Sequence, residues 1–240
     1  MSIVNRTAVT NNVDSINIVL SAGTGRKIIL IGTLEHATIT HVSATFNGEA
    51  MTVVFDNVTL NSMKISAFYY DVPDALAADT YVAAMTLSDA TVTKKLAGWQ
   101  LAGRATGTPA AAQLDSATSP AFESTTIAAT VAAAANDDLI SVLTNGSISP
   151  LESPSSTEIT FTEQSEDANG SHRTAVADGE GDQTESVTCT WTSPSTGGDK
   201  VTVLIALKMA SAAIPQLVGP GLLVGPGQLV GPGGLVRPGA

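Results

Sequence analysis

Disulfides, clustered metal ligands, aromatic platforms and positive charge are all scarce in this chain. It holds one cysteine, Cys189, in 240 residues, so no internal disulfide framework exists and the redox compartment stays open. Cys189 lies in an alternating stretch that reads as a strand, which marks a buried structural thiol rather than a nucleophile. The histidines, His36, His41 and His172, are scattered with no Cys or His at ligand spacing, and a plain surface role is expected for His41 on the outer face of its strand. Aromatics make up 4% of the chain, and Ala, Val and Thr fill the space instead. That composition suits broad, thin sheets better than a deep pocket lined with rings. Lys and Arg number 11 against 22 Asp and Glu, a net charge of −11. No basic patch is available to neutralise phosphates, so nucleic acid is excluded as a partner, and an anionic membrane surface with it. The apolar run at 27–34 is too short to span a bilayer, and residues 1–12 are polar with no apolar h-region. The chain reads as soluble, with nothing in it to direct export.

What is abundant is strand signal. Residues 1–15 are polar and read as an N-terminal arm. From 16 onward, β-rich segments follow one another closely. Residues 16–22 end at the turn Gly23-Thr24-Gly25, and Lys27-Ile28-Ile29-Leu30-Ile31 is apolar without alternation, as in a central strand covered on both faces. Residues 38–46 alternate, with Val42, Ala44 and Phe46 on one face and His41, Ser43 and Thr45 on the other. Asn47-Gly48 then gives the strongest short hairpin signal. Further strands are expected at 64–70, at 80–87 with Tyr81, Ala83, Met85 and Leu87 on one side, and within 91–103 around Trp99.

The second half continues the pattern at 125–131 and 138–143, closed by the turn Asn145-Gly146. The alanine run 132–135 has helical propensity, but strands crowd either side and it is assigned to a loop or strand end. From 147 to 185 the composition shifts to Ser, Glu, Asp and Gly around one expected strand at 158–163. That region reads as long, acidic, solvent-facing loops. Val187, Cys189 and Trp191 then alternate with Thr188, Thr190 and Thr192, and Val201, Val203, Ile205 and Leu207 alternate likewise. About a dozen short strands with turn signals between them and no credible helix predict an all-β fold. The expected form is a single jelly-roll-like antiparallel β-sandwich over 16–208, followed by a linker and tail over 209–240.

Few motifs suggest chemistry. Asp178-Gly179-Glu180-Gly181-Asp182 sets three carboxylates at alternate positions in a glycine-rich stretch. That arrangement can chelate calcium, yet it lacks the sixth-position glycine and twelfth-position glutamate of an EF-hand. A solvated acidic loop is the plainer reading. Gly170-Ser171-His172 puts a serine beside a histidine without the glycine framing of a nucleophile elbow. Gly23-Thr24-Gly25-Arg26-Lys27 resembles a phosphate loop but precedes a strand, so the helix dipole is missing. The sequons beginning at Asn5, Asn57, Asn145 and Asn169 matter only on a eukaryotic secretory route. No catalytic set, cofactor or resident metal is expected.

The tail is the segment with no use in a compact monomer. Gln216-Leu217-Val218-Gly219-Pro220-Gly221 repeats at 222–227 and 228–233, and a degenerate copy, Gly234-Leu235-Val236-Arg237-Pro238-Gly239, closes the series. Proline every sixth residue excludes a helix, and glycine does not recur every third position as collagen demands. An extended ribbon punctuated by Pro-Gly turns remains. It cannot bury its Leu-Val pairs against itself, and such a repeat needs neighbours to form a core. Leu217, Val218, Leu223, Val224, Leu229, Val230, Leu235 and Val236 are therefore the candidate assembly contacts. A free low-complexity tail is the alternative, although one with this pattern would be sticky.

The order of segments also resembles a known module. Arg26-Lys27-Ile28-Ile29-Leu30-Ile31-Gly32 precedes the hairpin Ala44-Thr45-Phe46-Asn47-Gly48-Glu49-Ala50-Met51-Thr52. The aromatic strand Ser66-Ala67-Phe68-Tyr69-Tyr70-Asp71-Val72-Pro73 and the later Thr80-Tyr81-Val82, Asp138-Leu139-Ile140 and Thr190-Trp191-Thr192 complete it. Together they look like β-sandwich modules of tailed-bacteriophage virion structural proteins; Gln100-Leu101-Ala102-Gly103 departs from the usual pattern. The resemblance speaks to fold and carries no catalytic residues. It implies a non-enzymatic capsid decoration, cement or head-fibre subunit on the outer surface of a virion. Such a subunit would be a homo-oligomer, expected as a trimer, that contacts the major capsid protein or another virion protein. The alternative is a tail-fibre or adhesin-type module for a host-surface glycan, which by fold analogy would use the acidic 147–185 region near Trp191.

Overall fold

A computed structural model describes residues 3–89, 92, 94–104, 110–111, 115–117, 125–146, 153–168, 172–183, 185–193 and 198–208. All of them belong to one compact unit spanning residues 1–210. Every regular element among them is a β-strand, and every pairing is antiparallel. Among the described residues no helix is long and apolar enough to cross a membrane.

Nine strands make a first lobe: β1 (Ile3–Asn11), β2 (Ser15–Leu20), β3 (Arg26–Glu35), β4 (His41–Phe46), β5 (Glu49–Ala50), β6 (Thr52–Leu60), β7 (Met63–Val72), β8 (Asp79–Leu87) and β9 (Lys94–Leu101). Eight more make a second: β10 (Ala110–Ala111), β11 (Asp115–Ala117), β12 (Thr126–Ala133), β13 (Asp138–Asn145), β14 (Thr162–Asp167), β15 (Arg173–Glu180), β16 (Glu185–Thr192) and β17 (Lys200–Leu207). The expected all-β architecture holds, but a single two-sheet sandwich does not describe it. Four sheets stack in layers with three apolar cores between them.

The two lobes share one strand order. The first inner sheet runs β1-β9-β3-β7-β6, and the second runs β10-β17-β13-β15-β14, with β11 also on β17. The first outer sheet runs β2-β8-β4-β5, and the second pairs β12 with β16. A lone bridge, Ser155 to Thr190, sits beside β16 where β4 sits beside β8. The same connectivity is therefore laid down twice, with β10 and β11 answering to β1, β12 to β2, β13 to β3 and so on to β17 and β9. At one place the contact between lobes is reciprocal. β1 packs on β14, while their counterparts pack as β10 on β6.

Alternation explains the layers. Along β3, Ile28 and Leu30 face the first outer sheet, while Ile29 and Ile31 face the second lobe. In β13, Leu139 and Leu143 face outward to β12 and β16, while Ile140 and Val142 face the first lobe. Inner strands buried on both faces carry near-continuous apolar runs. The Asn47-Gly48 turn has φ values of 52° and 80°, the left-handed pair that a two-residue hairpin requires.

Four expectations are corrected. The polar arm at 1–15 contains β1, in which Ile3 and Val9 join the middle core and the polar side chains between them find partners. The strand expected at 158–163 begins only at Thr162. Within the supposed acidic loops of 147–185, β15 is a central strand whose residues 174–179 are buried. Finally, a bulge between His41 and Ser43 breaks the register of β4 on β8, so His41 turns inward, 2% exposed, and Val42 outward, 58% exposed. The linker and repeats at 209–240 lie outside the described residues.

Candidate functional site

Two regions of the body carry concentrated polarity. The first is the seam between the inner sheets. Arg6 on β1 meets Asp178 on β15, with Nε 2.5 Å from Oδ2 and Nη2 3.0 Å from Oδ1. Lys95 on β9 donates to the Asp167 carboxylate on β14 at 2.5 Å and to its backbone carbonyl at 3.1 Å. The Val9 amide donates to Ser165 Oγ at 3.0 Å. Arg104, just past β9, donates to the Leu207 carbonyl at 2.7 Å and pairs with Asp138. It thereby fastens the crossing between lobes to the end of the last strand.

His172 is sealed in this seam. It is fully buried, its Nε2 stands 3.3 Å from Thr33 Oγ1, and Thr33 Oγ1 is 2.7 Å from Thr174 Oγ1. Burial and, secondarily, the Lys95 cation push its pKa down to about 3. A buried imidazole held neutral between two sheets is a structural group and has no approach for a substrate. Ser171 lies outside the described residues. In the first lobe, burial likewise lowers His41 to about 4, with the Lys64 cation acting in the same direction and Asp56 opposing.

The second region is a groove of about 560 Å³ where residues 156–162 cross β15. Four hydroxyl side chains, Ser156, Thr157, Thr160 and Thr162, share its wall with Glu158, Asp178, Glu180 and Asp182. The chain lies so close here that a Cβ on Gly179 would come 2.9 Å from the Thr160 carbonyl oxygen, and one on Gly181 2.5 Å from that of Ala134. Glycine is therefore required at both positions for steric reasons. Glu158 accepts from Ser156 Oγ at 2.6 Å and Thr157 Oγ1 at 2.7 Å, and from the Thr188 amide at 3.3 Å. These bonds hold its carboxyl at about 2.

Asp178, Glu180 and Asp182, the calcium candidates, do line this groove together. Asp178, however, is wholly buried and committed to Arg6 and to Gln164, whose Nε2 lies 3.0 Å away. Among the described residues no group of three or more His, Cys, Asp or Glu is placed to hold a metal. Trp191 is fully buried and donates its indole N–H to Ser141 Oγ at 2.8 Å, so it offers no stacking platform to a ligand. Cys189 is buried and burial raises its pKa to about 12, which makes it inert. The groove was missed in the sequence; the signal was Gly179 and Gly181 framing Glu180, which marks close chain crossing as well as acidity.

Leu217, Val218, Leu223, Val224, Leu229, Val230, Leu235 and Val236, the assembly candidates, lie outside the described residues. No protein-family model matches the chain, and no curated protein or solved structure matches it either.

Proposed function

We propose that the chain is a structural subunit of a tailed-phage virion, a capsid decoration, cement or head-fibre protein that oligomerises through its C-terminal repeats. The observation that carries this reading is the repeat itself, four Leu-Val pairs with Arg237 as their only charged companion. Each buried Leu or Val side chain contributes about 1.5–3 kcal/mol before ordering entropy is subtracted, so three ribbons together can fix a segment that one cannot. We take the oligomer to be a trimer, the partner to be the major capsid protein or another virion protein, and the location to be the particle's outer surface.

The body supports this reading by its strand order. In each lobe the chain crosses repeatedly between an inner and an outer sheet, β1, β3, β7 and β9 lying in one and β2, β4, β5 and β8 in the other in the first lobe, which we read as a jelly roll, an architecture shared by viral capsid and lectin domains. Electron microscopy of particles labelled with an antibody to the body is the test: regular outer-surface decoration is expected, and particles without label would refute the assignment.

A second reading, a glycan-binding module, is favoured by the groove, whose hydroxyls and carboxylates are groups that hydrogen-bond sugars. Retention on a glycan array that is lost in Glu180→Ala would support it.

A further inference from the structure

The two outermost faces of the stack are both poor in charge. On the first outer sheet, β2 and β8 turn Ser15, Asn17, Val19, Thr80, Val82 and Thr86 to solvent, with Val19 54% and Val82 50% exposed. Charge on this sheet stands only at strand ends, at Asp14, Asp79 and Glu49. On the second outer sheet, β12 and β16 turn out Thr, Ser and Ala, five of the eight half-buried, with Glu185 half-buried at the start of β16 and Thr190 and Ala128 paired near the centre. The chain carries 11 Lys and Arg and 22 Asp and Glu, yet on these two sheets charge is confined to the strand ends.

We propose that these two faces are the surfaces by which copies of this chain stack on one another, the first outer sheet of one copy on the second outer sheet of the next. The occupant follows from two observations, and the geometry of the assembly follows from the occupant. Copies with a net charge of −11 repel wherever their acidic rims meet, and these faces remove that repulsion. The two faces are counterparts in the duplicated strand order, and the molecule already packs counterpart sheets together at its seam. A first face meeting a second face leaves one of each free, so the contact does not close and propagates as a filament.

The area sets the strength. Two eight-residue strands at about 4.8 Å spacing and about 3.3 Å rise per residue give the second outer sheet a face of about 250 Å², which limits the contact. A contact then buries about 500 Å² in total, less than the roughly 1,200 Å² of a stable interface. Stacking is therefore weak between free copies and becomes effective once another contact holds them near one another. It is independent of the repeats.

The test uses the full chain in sedimentation velocity from about 10 µM to about 1 mM, a range that spans weak contacts. Beyond whatever oligomer is present at the dilute end, the weight-average mass should rise at least twofold. Val82→Lys and Thr190→Glu, both outward-facing, should each abolish the rise, and an equimolar mixture of the two variants should recover it. Should Thr190→Glu lower the thermal midpoint, Ala132→Glu replaces it. Serine at Leu217, Leu223, Leu229 and Leu235 should change the dilute oligomer and leave the rise intact. A flat mass in the wild type overturns the proposal. So does a rise that survives in either variant, which would signify like-on-like pairing or contact elsewhere.

Discussion

Arg6 and Asp178 join the two lobes through a two-point ion pair, 2.5 Å and 3.0 Å, in which the carboxylate is wholly buried and the arginine side chain 30% exposed. Truncating Arg6 leaves a buried carboxylate to which Gln164 Nε2 still donates at 3.0 Å. Loss of one partner from a buried pair costs about 3–5 kcal/mol, and partial exposure of Arg6 places the effect near the lower end. Arg6→Ala should lower the urea midpoint accordingly, whereas Arg6→Met combined with Asp178→Leu should recover most of the loss. Equal midpoints for Arg6→Ala and wild type would show that the pair does not hold the lobes.

Acid should weaken the fold through its buried histidines. His172 and His41 have folded pKa values of about 3 and about 4 against an ordinary 6.5. Below 6.5 the unfolded chain binds protons that the folded chain refuses, so stability falls with pH, down to about 4 for His41 and about 3 for His172. Each histidine contributes a slope of up to about 1.4 kcal/mol per pH unit in its window. Chemical denaturation from pH 7.5 to 4.5 should show this decline, and His172→Gln should flatten it. An unchanged slope in that variant would contradict the burial described for His172.

Glycines at the groove should differ sharply from a glycine in open space. Gly181→Ala drives a methyl to 2.5 Å from a backbone oxygen, and Gly179→Ala to 2.9 Å. Neither obstacle is a flexible side-chain tip, so each should cost about 1–3 kcal/mol. A methyl on Gly48 meets nothing within 4 Å, although its φ of 80° carries strain, worth about 1–2 kcal/mol. Thermal midpoints should therefore fall most for Gly181→Ala, and a groove loosened by Gly179→Ala should show faster amide exchange at 156–162.

Cys189 should resist thiol reagents. Its buried thiol, pushed up to about 12, is protonated at pH 8 and out of reach. Native chain should take up no maleimide or disulfide reagent over hours, and one equivalent once unfolded in urea. Fast labelling of the native chain would contradict the packing of the outer core.

Much of this fold is legible in the sequence where one rule dominates. The unbroken apolar run Ile28-Ile29-Leu30-Ile31 declares a strand covered on both faces, and Asn47-Gly48 declares its turn through the φ values it requires. Legibility fails where partners distant in sequence decide the outcome. β1 looks like a polar arm because Asn5 and Arg6 are satisfied by Gln100 and Asp178, 95 and 172 residues away. β15 looks like a loop because Asp178 and Gly179 oppose strand propensity, and only Arg6 and the crossing chain explain them. The face of His41 is misread because one bulge at Val42 inverts the alternation. The duplication is hidden because Arg26–Glu35 and Asp138–Asn145 share a position in the fold and little else. In the candidate site, the acidity of 178–182 is visible, while the engagement of Asp178 across the seam is not.

The central claim is that the hydrophobic hexamers find shelter only between molecules. Sedimentation equilibrium at low micromolar concentration, comparing the full chain with one ending at Pro215, tests it most directly. The account predicts a defined oligomer, three copies, for the full chain and a monomer for the shortened one. Equal masses for the two, whether monomeric or not, would contradict it.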